Sequence, residues 1–339
     1  MRSKILDNIK SQLFTLRISS HLSQNFKKID PDKIDLLKKY LAQYYFTEAN
    51  GVPSDYLKTD HGGKDMHDHL WRRQERVRLQ IIPWLDSVMT LKNSHILEIG
   101  CGTGSATVPL AEQGASVVAI DIEPGSLTVA RERCLLHRVN VEFREMNAQE
   151  LVMSSKKETY DMIIFYASLE HMFLEERRKA IQQAWDRLVP RGFLTIIDSP
   201  NRLWYYDDHT SGVSFYHWLP DDLAFYYSSF SPIYNFKDKF RELNDKKIRE
   251  FLRLGRGISF HDFELALKKR LSNFNVVSSL NAFLKKKMAK AYTIYSLWNK
   301  LRGRKTSLNE RYTALLMEHM PSIHEGFFQP YLNLIIQKK

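Results

Sequence analysis

The residues best suited to chemistry begin in "HILEIGCGTG", His95 to Gly104. An apolar stretch runs into Gly100, Gly102 and Gly104 and a helical pattern follows, so the backbone can turn tightly and approach a ligand closely. A dinucleotide-binding loop is spaced G-x-G-x-x-G and delivers a helix N-terminus to a pyrophosphate. Here the spacing is G-x-G-x-G, and Glu98 stands just ahead of the first glycine. A carboxylate repels a pyrophosphate and favours a ligand that carries an ammonium and a sulfonium. Asp121 ends the next apolar stretch, 21 residues after Gly100, where a carboxylate can accept both hydroxyls of a ribose.

A second set lies in "YASLEHM" and in "DSPNRLWYYDDHTSGVSFYHWLPDD", which follow two later strand patterns. The longer stretch gathers Trp204, Tyr205, Tyr206, Phe215, Tyr216 and Trp218 around Asp207, Asp208, His209 and His217. Aromatic faces with a few histidines and carboxylates suit sugars and other hydroxyl-bearing rings. His209 is the leading candidate base because imidazole titrates near neutral pH, with Asp208 or Asp207 as its orienting partner. His171 is the second candidate, and Tyr205, Tyr206, His217 and Trp218 are predicted to touch the acceptor. The plainer reading of each histidine is a helix cap or a satisfied core hydrogen bond. Asp207, Asp208, His209 and His217, or His67, Asp68 and His69, are also metal-ligating types, but no spacing is diagnostic and no metal site is assigned.

The elements that must position these groups read as alternating strands and helices from His95 onward. "HILEIG", "SVVAID", "VNVEFREM", "YDMIIFYA" and "FLTIID" are strand patterns separated by helical ones, which predicts a parallel sheet covered on both faces. "SFHDFELALKKRL" and "NVVSSL" add a helix and a strand, and "PYLNLIIQKK" is a last strand, antiparallel and inserted in the sheet. Ahead of the sheet, Asp30 and Pro31 sit at a helix start, Ile34, Leu37, Leu41 and Tyr45 recur at helical spacing, and a second helix is expected from His67 to Val88. The predicted organisation is a helical cap (1–90), a core (91–200), an aromatic-rich acceptor-site insertion (201–257), a core helix and strand (258–280), a basic helical insertion (281–325) and the last strand (326–339).

"LEIGCGTG", "VVAID", "NAQEL", "YDMIIFYASLEHM" and "LVPRGFLTIID" together resemble the class I S-adenosylmethionine-dependent methyltransferases. The resemblance is close over 95–200 and fits the final strand. It implies a Rossmann-like, doubly wound, mostly parallel seven-stranded sheet, with helical insertions forming an acceptor lid. It also implies S-adenosylmethionine as cofactor. Glu98, Gly100, Cys101, Gly102 and Gly104 would line its methionine side, Asp121 and Ile122 its ribose, and Asn147 with Ala148 its adenine, where the family often carries Asp-Ala. Tyr166 completes the cofactor set. A looser resemblance of "NRLWYYDDHTSG", "FYHWLPDDLA" and "RGISFHDFELAL" points to bacterial methyltransferases of surface polysaccharide or natural products, hence to O-methylation of a glycan, glycolipid or secondary metabolite.

Composition bounds these readings. The 339 residues are 43% hydrophobic and 26% charged, as in an ordinary globular chain. Two cysteines exclude a disulfide framework, and charges occupy the N-terminal stretch where a signal peptide is apolar, so a cytoplasmic protein is expected. Between Phe236 and Lys305 there are 19 Lys/Arg against 6 Asp/Glu, an excess of +13 within a net charge of +11. That charge fits contact with an anionic surface or lipid at the membrane periphery, or a solvated lysine-rich face. "LKKKMAKAYTIYSLWNKLRGRK" interleaves it with apolar residues and reads as a lid helix. An RNA methyltransferase would use the same charge, but no nucleic-acid-binding module is visible. A non-catalytic binding protein on the same fold is the other alternative, opposed by the intact Glu98, glycine and Asp121 set.

Overall fold

The computed structural model describes residues 31–50, 52–153, 158–237, 240, 242–288 and 307–339. The expected helix start at Asp30 and most of the basic lid helix lie outside the described residues. Seven strands follow the order β3-β2-β1-β4-β5-β7-β6, the doubly wound, mostly parallel sheet expected from the alternating pattern. The chain divides into two compact units, 1–146 and 147–339.

In the first unit β1 (His95–Ile99), β2 (Ser116–Asp121) and β3 (Glu142–Glu145) pair in parallel, with Glu98 opposite Ala119 and Asp121 opposite Glu145. Before them come α1 (Pro31–Tyr40) and a helical run that starts at α2 (Asp60–His67) and continues through two wider turns to Asp86. That run begins seven residues before the predicted His67. Thr59 caps it by accepting the Gly62 N–H at 3.0 Å, and the Gly62–Gly63 pair, poor in helix propensity, masks the start in the sequence. Gly62 is required there because a Cβ would lie 2.0 Å from the Tyr56 carbonyl oxygen. Leu37, Leu41, Phe46, Met66 and Leu70 form one core with Val129 and Leu136, the latter two from α4 (Pro124–His137), the helix that follows α3 (Thr107–Glu112).

In the second unit β4 (Tyr160–Tyr166) runs parallel to β5 (Leu188–Pro200). β7 (Tyr331–Gln337) lies antiparallel between β5 and β6 (Asn275–Ser279), as the final apolar stretch led us to expect. The chain leaves β4 and nears the end of β5 through left-handed residues without glycine, Ala167 (φ 46°) and Asp198 (φ 55°). Such backbone costs about 1–3 kcal/mol per residue and persists where surrounding structure holds it.

The aromatic richness of 201–257 is largely packing. Tyr216, Phe225, Phe236, Phe240 and Phe251 bury one another, joined by α6 (Asp221–Tyr227) and α7 (Asp245–Arg253). The insertion thus has its own core, and Tyr216 belongs to it rather than to an acceptor surface. Phe251 touches four rings at centroid distances of 5.2 to 6.2 Å. Phe251→Ala is expected to cost about 3–5 kcal/mol, read as an earlier denaturant midpoint for the tryptophans of this insertion.

Candidate active site

The glycine loop is built as its sequence requires. Gly100, Gly102 and Gly104 have φ of 76°, 50° and 77°. At Gly104 a Cβ would also press on Ala130 of α4 at 3.1 Å. A buried carboxyl, Glu98, and a half-buried one, Asp121, stand at this loop. Asp121 Oδ2 accepts the Gly102 N–H at 2.7 Å and Oδ1 the Glu123 N–H at 2.9 Å, which fixes the carboxylate while leaving lone pairs for a ligand. Glu98, at the end of β1, is 1% exposed and accepts the Thr107 hydroxyl at 2.5 Å. Burial pushes the Glu98 carboxyl up to about 8, against the Thr107 hydrogen bond and with help from the Asp121 charge. Burial also raises Asp121, opposed by its backbone donors, and raises the Cys101 thiol. Ile122 is exposed beside Asp121. From the first unit's helical cap, buried His69 meets Thr103 Oγ1 at 3.3 Å. His67 points outward and Asp68 pairs with Arg72 at 3.0 Å, so the three cap residues form no ligand cluster.

The remaining cofactor candidates belong to the second unit. Asn147 Oδ1 caps the Gln149 N–H at 3.1 Å, Ala148 is buried and Tyr166 ends β4.

The acceptor-side candidates separate into two groups. His171 follows β4 in the turn Leu169–His171, and His209 follows β5; their rings lie 5.9 Å apart. His171 Nδ1 meets the Arg253 carbonyl at 2.8 Å, a pure acceptor, so Nδ1 carries the proton. His209 Nδ1 meets Thr210 Oγ1 at 2.9 Å, and that hydroxyl donates to the Gly255 carbonyl at 3.2 Å, so here too Nδ1 is the donor. In the neutral rings both Nε2 atoms are therefore the ones left with lone pairs. They stand 3.9 and 4.0 Å from Oε1 of Glu170, a fully buried side chain whose Oε2 accepts the Ser199 hydroxyl at 3.0 Å. Burial lowers the His209 pKa, against the pull of the Glu170 carboxylate.

The orienting partner expected for His209 is corrected. Asp208 Oδ1 accepts the Tyr331 hydroxyl at 2.7 Å, and the ring is oriented by Thr210 instead. Asp207 organises the backbone: Oδ1 accepts the N–H groups of His209 and Thr210, both at 3.0 Å, and Oδ2 that of Ser211 at 2.7 Å. His217 is likewise structural rather than acceptor-facing. It is 2% exposed, its Nδ1 accepts the Gly257 N–H at 3.1 Å, and its Nε2 pairs with Asp207 Oδ1 at 3.2 Å. Burial alone would raise Asp207, but His217 and the Thr210 and Ser211 donors hold it well below the usual range. Tyr205 donates to Asn309 Oδ1 at 2.5 Å, while Tyr206 and Trp218 are exposed, Trp218 edge-on to Phe215.

Three guanidiniums lock this region. Arg177 of α5 (Leu174–Arg187) donates to the Leu169 and Arg256 carbonyls and pairs with Asp262 at 3.0 Å. Arg253 holds the His171 carbonyl at 2.9 Å, and Arg256 pairs with Asp221 at 3.1 Å. Sequence reasoning passed over Glu170, Thr210 and Ser199; the one signal for Glu170 was its place beside His171 after β4.

Residues 96–192 match the model of a methyltransferase domain. The core that carries the glycine loop is therefore that of a class I S-adenosylmethionine-dependent methyltransferase. The chain is 33% identical over 121 residues to the ubiquinone biosynthesis O-methyltransferase of Pseudomonas fluorescens (strain Pf0-1), covering 36% of this chain and 50% of that protein. Its likeness to the enzyme of the same name from Azorhizobium caulinodans is 32% over 116 residues, 34% of this chain and 44% of the relative. The chain thus spans about half the length of the curated relatives it matches. Among solved structures it is similar to the magnesium protoporphyrin IX methyltransferase of Synechocystis PCC 6803 with bound SAH, at 21% identity and a TM-score of 0.36, covering 51% of this chain and 74% of that one. Among the described residues, no helix is long and apolar enough to cross a membrane.

A carboxyl raised to about 8 in the folded chain binds a proton that the unfolded chain has released near pH 4.5. Its favourable contribution is complete below the unfolded value and is lost as pH rises through the folded one. Glu98→Gln, which stays neutral, is therefore expected to gain in relative stability as pH rises from about 4.5 to about 8 and to hold that gain above. Denaturant unfolding of both proteins across that range checks it.

Proposed function

We propose that this chain transfers the methyl group of S-adenosylmethionine to a hydroxyl oxygen of a small molecule, a glycan, glycolipid or secondary metabolite. The observation that carries the reading is the pair of imidazoles, His209 and His171, placed beyond the carboxyl ends of β4 and β5 with Nδ1 held by protein partners and Nε2 left for an acceptor. Acceptor groups of doubly wound sheets lie at that end.

The cofactor loop is read from its buried acids. Glu98 and the Gly100–Gly104 backbone would face the methionine end of the cofactor, where a cation favours the ionised Glu98, and Asp121 would accept the ribose hydroxyls. Asn147, Ala148 and Tyr166 would line the adenine side. The cofactor supplies a carbon already activated by positive sulfur. The chain's residues need to align the acceptor, exclude water and take one proton. The acceptor oxygen forms its bond to the methyl carbon as the carbon–sulfur bond breaks. Sulfur leaves as a neutral thioether, and the hydroxyl proton passes to His209 Nε2, which Thr210 holds in the accepting tautomer. Tyr206 and Trp218, both exposed, would bracket the acceptor, with His171 on its other side. Asp208 acts at one remove, through the Tyr331 ring that stands edge-on to His209.

The relatives are named for O-methylation in ubiquinone biosynthesis, which supports an oxygen acceptor. The net charge of +13 over 236–305, preceded by exposed Tyr226, Tyr227 and Phe230, supports an acceptor presented at an anionic or lipid surface.

Radiolabelled methyl transfer to a panel of hydroxyl-bearing acceptors tests the reading. Once an acceptor is found, His209→Ala is expected to lower kcat by about 10²–10⁴-fold with unchanged S-adenosylhomocysteine affinity. Full turnover by the variant at saturating acceptor would remove His209 from the chemistry.

A further inference from the structure

The Nε2 atoms of His171 and His209 converge on Glu170 Oε1 with no hydrogen-bond donor from any other described residue between them. His171 Nε2 and His209 Nε2 lie 3.9 and 4.0 Å from Glu170 Oε1, and the three ligand atoms are all within 4.8 Å of one another. Both imidazole protons are on Nδ1, engaged by the Arg253 carbonyl and by Thr210 Oγ1. Glu170 Oε1 is buried and makes no hydrogen bond, an arrangement that ordinarily costs about 1–3 kcal/mol or more for a charged group. Three facing acceptors without a donor call for a cation at their centre.

The geometry points to a divalent transition-metal site made by Glu170, His171 and His209. Two imidazoles and one carboxylate suit zinc, cobalt or iron better than magnesium or calcium, which prefer all-oxygen shells. Each ligand has the outer partner that metal ligands usually show: Arg253 O for His171, Thr210 for His209, Ser199 for Glu170. Those partners are themselves anchored, Thr210 on the Gly255 carbonyl and Arg253 by its guanidinium on the His171 carbonyl. A zinc–ligand bond of about 2.0 Å puts neighbouring tetrahedral ligand atoms about 3.3 Å apart, so seating an ion asks the 3.9 and 4.0 Å separations to close by about 0.6–0.7 Å. The carboxylate floor is fully buried, whereas the His171 and His209 side chains are 43% and 27% exposed, which leaves coordination positions open on one side. Three protein ligands with an open position is the pattern of a catalytic rather than a structural ion.

An ion here deepens the methyl-transfer reading without being needed for it. An acceptor hydroxyl bound to the ion would release its proton to solvent water, and His209 would serve that oxygen as the ion's ligand instead of as base. The metal is therefore tested without acceptor or methyl donor. The full chain, stripped with chelator, is titrated with cobalt(II) followed by visible absorption, then with zinc by calorimetry. One ion per chain is expected, with the colour of a histidine-ligated cobalt site that zinc displaces. Glu170→Gln, His171→Ala and His209→Ala should each weaken binding by more than tenfold, and Thr210→Val, which removes only an outer partner, by about 10–100-fold. Glu170→Gln keeps the shape of the side chain, so it remains readable if an alanine variant fails to fold; S-adenosylhomocysteine binding reports folding in each. Absence of cobalt binding to the folded chain, or binding that none of the four variants weakens, would overturn the site.

Discussion

Four carboxyl groups at or beyond the carboxyl ends of the strands, three of them buried and Asp121 partly so, set what the rest of the chain must provide. A carboxylate removed from water has to be paired, hydrogen-bonded or neutralised. Glu98 meets this with one hydroxyl and a raised pKa, Asp121 with two backbone N–H groups. Asp207 takes three backbone N–H groups, the Ser211 hydroxyl and His217. Glu170 satisfies one oxygen through Ser199 and leaves the other bare, opposite two imidazole lone pairs. The differences follow use. Asp207 is saturated and structural, whereas Glu98, Asp121 and Glu170 keep acceptor capacity in reserve.

That reserve is tenable because the surrounding backbone cannot relax to fill it. In the second unit the turn bearing Glu170 and His171 is tied by Arg177 through Leu169, by Arg253 through His171, and by the Arg256 N–H, which donates to the Glu170 carbonyl at 3.0 Å. The loop bearing His209 is wound around Asp207. Preorganisation of this kind fixes a reacting group before the substrate arrives, which is where most of the benefit of proximity lies. In the first unit, glycines in left-handed conformation do the same for the cofactor loop.

The sheet was legible in the sequence because strand–helix alternation and the glycine spacing are local signals. The antiparallel β7 was legible as well, from the largely apolar stretch "YLNLII". The helical run from Asp60 was not, because its start is capped by Thr59 and carries two glycines, of which Gly62 is demanded by the Tyr56 carbonyl. Within the candidate site, His171 and His209 could be named from residue type. Their meeting at Glu170 could not, since the two histidines are 38 residues apart and the chain between them forms β5. The choice of Asp208 as partner failed for a related reason. Adjacent Asp207 and Asp208 look alike in sequence, and only the backbone direction decides that one faces the loop amides and the other Tyr331. Aromatic density misled in the same way, since the ring cluster around Phe251 is a small core.

We propose that the glycine loop takes a ligand bearing an ammonium and a ribose, in exchange for a proton held by Glu98. The direct measurement is calorimetric titration of the full chain with S-adenosylhomocysteine near neutral pH, in two buffers of different ionisation enthalpy, with NAD as control. The expected result is saturable binding that releases a proton, lost in Asp121→Ala and proton-neutral in Glu98→Gln, with no heat from NAD. A folded chain free of co-purified ligand that ignores S-adenosylhomocysteine, or that binds NAD in its place, would contradict the account.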